Sequence, residues 1–276
     1  MSANGAGYQF GSGFGDQEMN RLEAQGKAVA PATRMIFTEA GIRPGMQVLD
    51  LGCGAGDSTF VVADLVGPGG FVVGLDHSPD ALGRARLRAK QRGLTQVRFV
   101  EGDIHDPAPG GPFDAIVERL ALWSVPDPAA VLRRQATLLR PGGLVVPIEY
   151  DTSAARNLPE TPLATQLKSW AGEAAVRSGI IMVGHRLWSI VEEAGLRPLG
   201  MLGIQPHFGP DDAAGLDFAV HSLCGVAQVV VRTGVATAEE VGVETLAQRL
   251  RDERQIDRVV FAAFTLLSAW ATTGPE

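Results

Sequence analysis

Val48-Leu49-Asp50-Leu51-Gly52-Cys53-Gly54-Ala55-Gly56, followed by Asp57-Ser58-Thr59, decides how the rest of the chain is read. An apolar run of strand length ends in an aspartate and passes into alternating glycines, and a helix start follows. Glycine lets a backbone approach a ligand closely and adopt turns closed to other residues. A dinucleotide fingerprint sets its last glycine farther along than Gly56 and does not follow it with an acid such as Asp57. The free N–H groups of a helix N-terminus attract phosphate, and a carboxylate in that turn repels it. The loop therefore suits a guest with positive charge, with Asp50 as the attracting group; Asp57 has the alternative role of capping its helix.

Outward from the loop the pattern alternates. Strands are expected at 46–51, 71–76, 97–101, Phe113 to Glu118 and Leu144 to Tyr150, with helices from 57, at Pro79 to Arg92 and at Pro128 to Leu139. Strand-helix alternation predicts a doubly wound parallel α/β sheet, whose ligands collect beyond the carboxyl ends of the strands where strand order reverses. Gly74-Leu75-Asp76 ends the second strand there, and a carboxylate at that place can accept both hydroxyl protons of a ribose. The alternative for Asp76 is a turn or cap aspartate ahead of Ser78-Pro79.

These segments resemble the class I S-adenosylmethionine-dependent methyltransferases. The glycine loop and Asp76 are similar to that family's first motif and its acidic second-strand position. Glu101-Gly102-Asp103-Ile104 resembles the third-strand motif, which implies that Asp103 accepts from an adenine amino group and that the Ile104 N–H meets the ring. Phe113-Asp114-Ala115-Ile116-Val117-Glu118-Arg119 is similar to the fourth strand, and Leu139-Arg140-Pro141-Gly142-Gly143-Leu144 to the turn entering the fifth. Over roughly residues 45–150 the resemblance implies an S-adenosylmethionine site made of Asp50, Gly52, Cys53, Gly54, Asp76, His77, Gly102, Asp103, Ile104, Glu118 and Arg119. It also implies seven strands in the order 3-2-1-4-5-7-6, the last antiparallel, with segments near 200 and 260 in the final two places.

The chain divides into an N-terminal tail and lid helices (1–40), the cofactor-binding core (41–150), and a remainder of the sheet with inserted helical cap segments (151–276). Apolar spacing over 16–40 predicts two helical pieces separated at Pro31. Further helices are expected at Thr161 to Ser178, Gly184 to Ala194, 212–232 and 238–254, with strands at 197–206 and 257–270. The helix at 212–232 is apolar nearly all round, so it buries itself against the cap or in a homodimer. Tyr8, Phe10 and Phe14 stand among glycines, a composition of a disordered tail or of a lid that orders over substrate.

A net charge of −7 argues against a nucleic-acid partner, and the run Arg84, Arg86, Arg88, Lys90, Arg92 spreads around its helix as a solvated face. The only cysteines, Cys53 and Cys224, offer neither a disulfide framework nor zinc spacing, and they suit a reducing cytoplasm. No membrane association is expected, since the apolar run Val259 to Leu267 is too short to span a bilayer. No histidines have the i, i+4 spacing of a metal site, so no metal is expected.

Methyl transfer from a sulfonium is an in-line displacement that depends on positioning, and a base helps only where the acceptor must lose a proton. His207, after a strand, and His221, on the apolar helix, are the candidate bases, each with the alternative of a hydrogen-bonded packing residue. Glu149 at the fifth-strand end is a comparable candidate. Trp123, Trp170, Trp188, Phe208 and Phe218 are candidates to line an acceptor pocket or to form ordinary core. The expected function is methylation of a small aromatic or lipophilic metabolite. The alternatives are an RNA or protein methyltransferase and a protein that binds the cofactor without transferring its methyl group.

Overall fold

A computed structural model describes residues 16–178 and 183–274; the glycine-rich segment carrying Tyr8, Phe10 and Phe14 lies outside them. In chain order the elements are α1 (Asp16–Ala40), β1 (Gln47–Leu51), α2 (Asp57–Val66), β2 (Phe71–Asp76), α3 (Pro79–Gln91), β3 (Val97–Glu101), β4 (Phe113–Arg119), α4 (Pro128–Ala136) and β5 (Leu139–Asp151). They continue with β6 (Arg156–Leu158), α5 (Pro162–Ser178), α6 (Leu187–Glu193), β7 (Arg197–Ile204), β8 (His207–Phe208), α7 (Ala213–Arg232), α8 (Ala238–Val241), α9 (Val243–Ile256), β9 (Val260–Ala262) and β10 (Thr265–Thr272).

The described residues form two compact units, the first made of 16–151, 183–204 and 266–274, the second of 152–178 and 205–265. The first unit holds a seven-stranded sheet in the order β3-β2-β1-β4-β5-β10-β7. Counting only its own strands this is 3-2-1-4-5-7-6, and β10 runs antiparallel to β7, as the resemblance implies. Strands β1 to β5 pair in parallel, with Leu51 beside both Leu75 and Glu118, so strand order reverses at β1 and β4. Residues of β1 and β4 such as Val48, Leu49, Ala115 and Val117 are buried, as central strands covered on both faces require.

Two local differences have physical causes. Helix α1 runs unbroken through Pro31. Val29, Ala32, Ile36, Phe37 and Ala40 are all buried, and this tertiary packing outweighs the hydrogen bond that proline removes. The Pro141-Gly142-Gly143 segment is drawn into β5 as an irregularity: Phe113 pairs with Leu139 and Ala115 with Leu144.

The second unit holds a three-stranded sheet, β6-β9-β8, and helices α5, α7, α8 and α9. Phe218 of α7 is buried at its centre, with the rings of Phe208, Phe261 and Phe264 at 5.4, 6.2 and 5.5 Å. Phe208 and Phe218 are therefore core residues and not pocket lining. Helix α7 packs on α5 and α9 through Val220, Ala227 and Val230. By length and composition α7 could cross a membrane, a property the short run Val259 to Leu267 did not signal; apolar core helices share it.

Candidate functional site

The carboxyl ends of β1 to β4 bring the predicted cofactor residues to one edge of the first unit. Asp50 is fully buried, and its Oδ2 accepts from the Ser58 and Thr59 hydroxyls at 2.8 and 2.5 Å. Its Oδ1 has no partner among the described residues. Burial pushes the carboxyl up to about 6, against the lowering effect of Thr59, Ser58 and the Arg119 charge. An anion with an unsatisfied oxygen in such a place is matched by a cation, and the ammonium of S-adenosylmethionine is one.

Gly52, Gly54 and Gly56 all have positive φ, at 64°, 53° and 91°. At Gly52 a side chain is excluded twice, because an added Cβ would lie 2.5 Å from the Ala121 Cβ. Cys53 points into the core with Phe60, Leu82 and Phe99, so only its backbone is left to a ligand, and burial pushes its thiol well up. Asp57 pairs with Arg88 at 2.7 Å and does not cap α2, whose N-cap is Gly56.

Asp76 Oδ2 accepts from the Gly54 N–H at 2.8 Å and Oδ1 from the Ser78 N–H at 2.9 Å. It serves as the turn aspartate of one reading, while each oxygen keeps a lone pair for a ribose hydroxyl. The cap of α3 itself is Ser78, which accepts from the Ala81 N–H. His77 is largely exposed, its Nδ1 3.7 Å from Asp76. Asp103 lies in an exposed turn and accepts from the His105 N–H at 2.8 Å, which with the His105 ring holds its carboxyl below the usual range. Gly102 bonds to the Asp76 carbonyl, and Ile104 packs against Leu51 and Leu75 as well as the cluster around Leu122.

Glu118 and Glu149 form a second buried acidic group. Glu118 accepts from the backbone N–H groups of Ala121 and Leu122, and Glu149 from that of Trp123 at 2.9 Å. Burial raises both carboxyls, and the Glu118 charge raises Glu149 further. Leu120, at φ 60°, turns the chain from β4 so that these N–H groups face the carboxyls. Arg119 is half-buried and donates to Thr33 of α1 at 3.0 Å. Desolvation lowers its pKa.

His207 and His221 belong to the second unit, unlike Glu149. His207 is exposed on β8, with Nδ1 3.1 Å from the Gln205 carbonyl. His221 Nδ1 contacts the Asp217 carbonyl one turn back on α7 at 2.8 Å. Trp123 bonds to the Leu120 carbonyl and Trp188 to Glu192, while Trp170 packs on the apolar cluster of its unit. Among the described residues no cluster of His, Cys, Asp and Glu could hold a metal ion.

Sequence reasoning missed the hydroxyls of Ser58 and Thr59 as partners of Asp50, though both stand in the opening stretch; nothing in spacing ties a first-turn hydroxyl to a strand aspartate. His185 is among the histidines available as a base but ranks behind His207 and His221 on sequence grounds; its Nε2 lies 3.1 Å from Asp151 Oδ1.

A family model described as a methyltransferase domain matches residues 42–195. The chain is 40% identical over 116 residues to nocamycin O-methyltransferase of Saccharothrix syringae, covering 42% of this chain and 41% of that protein. It is 39% identical over 106 residues to demethylmenaquinone methyltransferase of Lactococcus lactis, covering 38% and 42%. The matched region thus spans less than half the length of these relatives. The fold is shared with geranyl diphosphate C-methyltransferase of Streptomyces coelicolor, at a TM-score of 0.53 and 16% identity over 93% of this chain and 81% of that one.

Proposed function

The chain belongs to the methyltransferase-domain family, that of the class I S-adenosylmethionine-dependent methyltransferases, and from that premise we propose that it transfers a methyl group to a small aromatic or lipophilic metabolite. The observation that carries this reading is the buried Asp50 with its unpartnered Oδ1, set beneath the left-handed glycine loop and beside Asp76. In this account Asp50 attracts the cofactor's ammonium, Asp76 accepts from the ribose hydroxyls, and Asp103 with the Ile104 N–H reads the adenine. Gly52 and Gly54 admit the cofactor to the backbone, beside Cys53, His77 and Gly102. Glu118 and Arg119 close the methionine end. Bound there, S-adenosylmethionine supplies an electrophilic methyl group on a sulfonium.

The small-molecule reading draws support from the two relatives, whose names record a nocamycin and a demethylmenaquinone activity. It also draws on the overall negative charge, which disfavours an RNA acceptor. Two free thiols accord with a reducing compartment such as the cytoplasm. The test is transfer of a labelled methyl group to a panel of small acceptors, with RNA and protein mixtures alongside. Labelled small product, unaffected by salt, is the expected result; label only in macromolecules contradicts the reading.

A further inference from the structure

We propose that His185, held by Asp151 at the carboxyl end of β5, is the base that takes the proton from a weakly acidic hydroxyl of the methyl acceptor. This rests on the methyl-transfer reading above. Ile148 of β5 pairs with Arg119, the last residue of β4, so Glu149, Tyr150 and Asp151 extend past the end of β4 along the edge that carries the cofactor residues. Side chains on a strand alternate, which puts Asp151 on the same face as Glu149, whose carboxyl meets the Trp123 N–H. The Asp151 side chain is only 12% exposed and the His185 ring 56% exposed, with His185 Nε2 3.1 Å from Asp151 Oδ1. A mostly desolvated carboxylate thus orients an imidazole that solvent and an acceptor can reach, the arrangement a general base needs.

The segment bearing His185 is fixed on both sides. Val183 and Leu187 are buried in the cluster that includes Leu122 and receives Ile104 and Trp123. Gly184 lies so close to β5 that an added Cβ would sit 2.8 Å from the Tyr150 carbonyl oxygen, so any larger residue would push His185 from Asp151. His105 and Asp103 make a similar contact, but within one exposed turn at the nucleoside end, where the aspartate is 60% exposed. The charged groups around His185 are Asp151 and the upstream Glu149 of β5, and the adjacent Arg186, which reaches Glu193 of α6 at 3.5 Å.

With the Nε2 proton directed to Asp151, Nδ1 is the accepting nitrogen. As the acceptor oxygen forms its bond to the methyl carbon, the carbon–sulfur bond breaks and sulfur keeps the electron pair. The hydroxyl proton moves to Nδ1, and Asp151 stabilises the resulting imidazolium. The balance needs no further reactant.

Two measurements on the full chain, His185→Ala and Asp151→Asn test this. Nitrogen NMR of histidine-labelled protein needs no acceptor. The neutral His185 ring is expected to carry its proton on Nε2, and to lose that preference in Asp151→Asn. A proton on Nδ1, or a spectrum indifferent to Asp151→Asn, overturns the dyad. The second measurement follows methyl transfer to phenol, 1,4-naphthohydroquinone and an enolic 1,3-diketone. In His185→Ala kcat is expected to fall about 100-fold or more, with S-adenosylmethionine affinity unchanged and partial recovery on adding imidazole. Wild-type rates in that variant overturn the proposal, as does a wild-type protein that binds the cofactor and methylates none of the probes. A wild-type protein that binds no S-adenosylmethionine overturns the methyl-transfer reading instead, and the NMR result still decides whether the dyad forms.

Discussion

Asp50 and Arg254 are both charged side chains shut away from solvent, one at a strand end of the first unit and the other on a helix of the second. Desolvation moves each towards neutrality, Asp50 up to about 6 and Arg254 down to about 10. Arg254 donates to the amide oxygen of Asn157 at 2.9 Å, its guanidinium lies 5.2 Å from the Phe261 ring centroid, and Asn157 is tied in turn to Thr161. It is a packing element of an aromatic core. Asp50 is held by two hydroxyls on one oxygen only, under a glycine loop at the point where strand order reverses. What separates a structural buried charge from a receptive one is this setting, and the two units can be perturbed separately to test it.

The largest effect is expected in the closed core. Phe218→Ala should destabilise the second unit by about 3–5 kcal/mol in urea unfolding, since it empties the centre of an aromatic cluster. A loss below ~1 kcal/mol would mean that the cluster is not what holds that unit.

At Asp50 the sign reverses. A carboxyl whose folded pKa is raised above 3.8 to about 6 costs stability once ionised, a penalty that grows as pH rises through that window. Asp50→Asn should therefore be more stable than wild type at pH 7, by roughly 1–3 kcal/mol, and similar to it near pH 4. It should bind S-adenosylmethionine poorly. An Asn variant less stable at pH 7 would show that the Ser58 and Thr59 hydrogen bonds compensate the buried charge.

Gly52→Ala meets both a positive φ and the Ala121 Cβ, so a loss of about 2 kcal/mol with weakened cofactor binding is expected. Wild-type affinity there would remove the close-approach role of the loop. The smallest effect is in pH dependence. Below about 6 Asp50 takes up a proton that the cofactor's ammonium must displace, so calorimetric affinity should be flat above that pH and about tenfold weaker one unit below it. Constant affinity from pH 5 to 8 would separate Asp50 from the ammonium.

The same contrast governs what the sequence made legible. Strand-helix alternation and the glycine loop are local patterns, and β1, β2 and β3 stand where they predict. Asp50 and Asp76 could be singled out because strand ends are readable from apolar runs, and Asp103 through the resemblance of Glu101-Gly102-Asp103-Ile104 to the third-strand motif. Pro31 reads as a break because proline's local cost is visible in the sequence and the burial of Ile36 and Phe37 is not. Phe208 and Phe218 could not be sorted between pocket and core, since that depends on Phe261 and Phe264, distant in sequence. The left-handed Leu120 and the contact of Asp151 with His185 depend on tertiary placement and left no periodic trace.

The central claim is a cofactor site at the carboxyl ends of β1 to β4. Calorimetric titration of S-adenosylmethionine, S-adenosylhomocysteine and NAD into the wild-type and Asp76→Ala proteins tests it most directly. The first two are expected to bind and NAD is not, and Asp76→Ala should weaken both by about 100-fold or more through loss of charged hydrogen bonds. Binding of NAD alone, or S-adenosylmethionine affinity indifferent to Asp76→Ala, would contradict it.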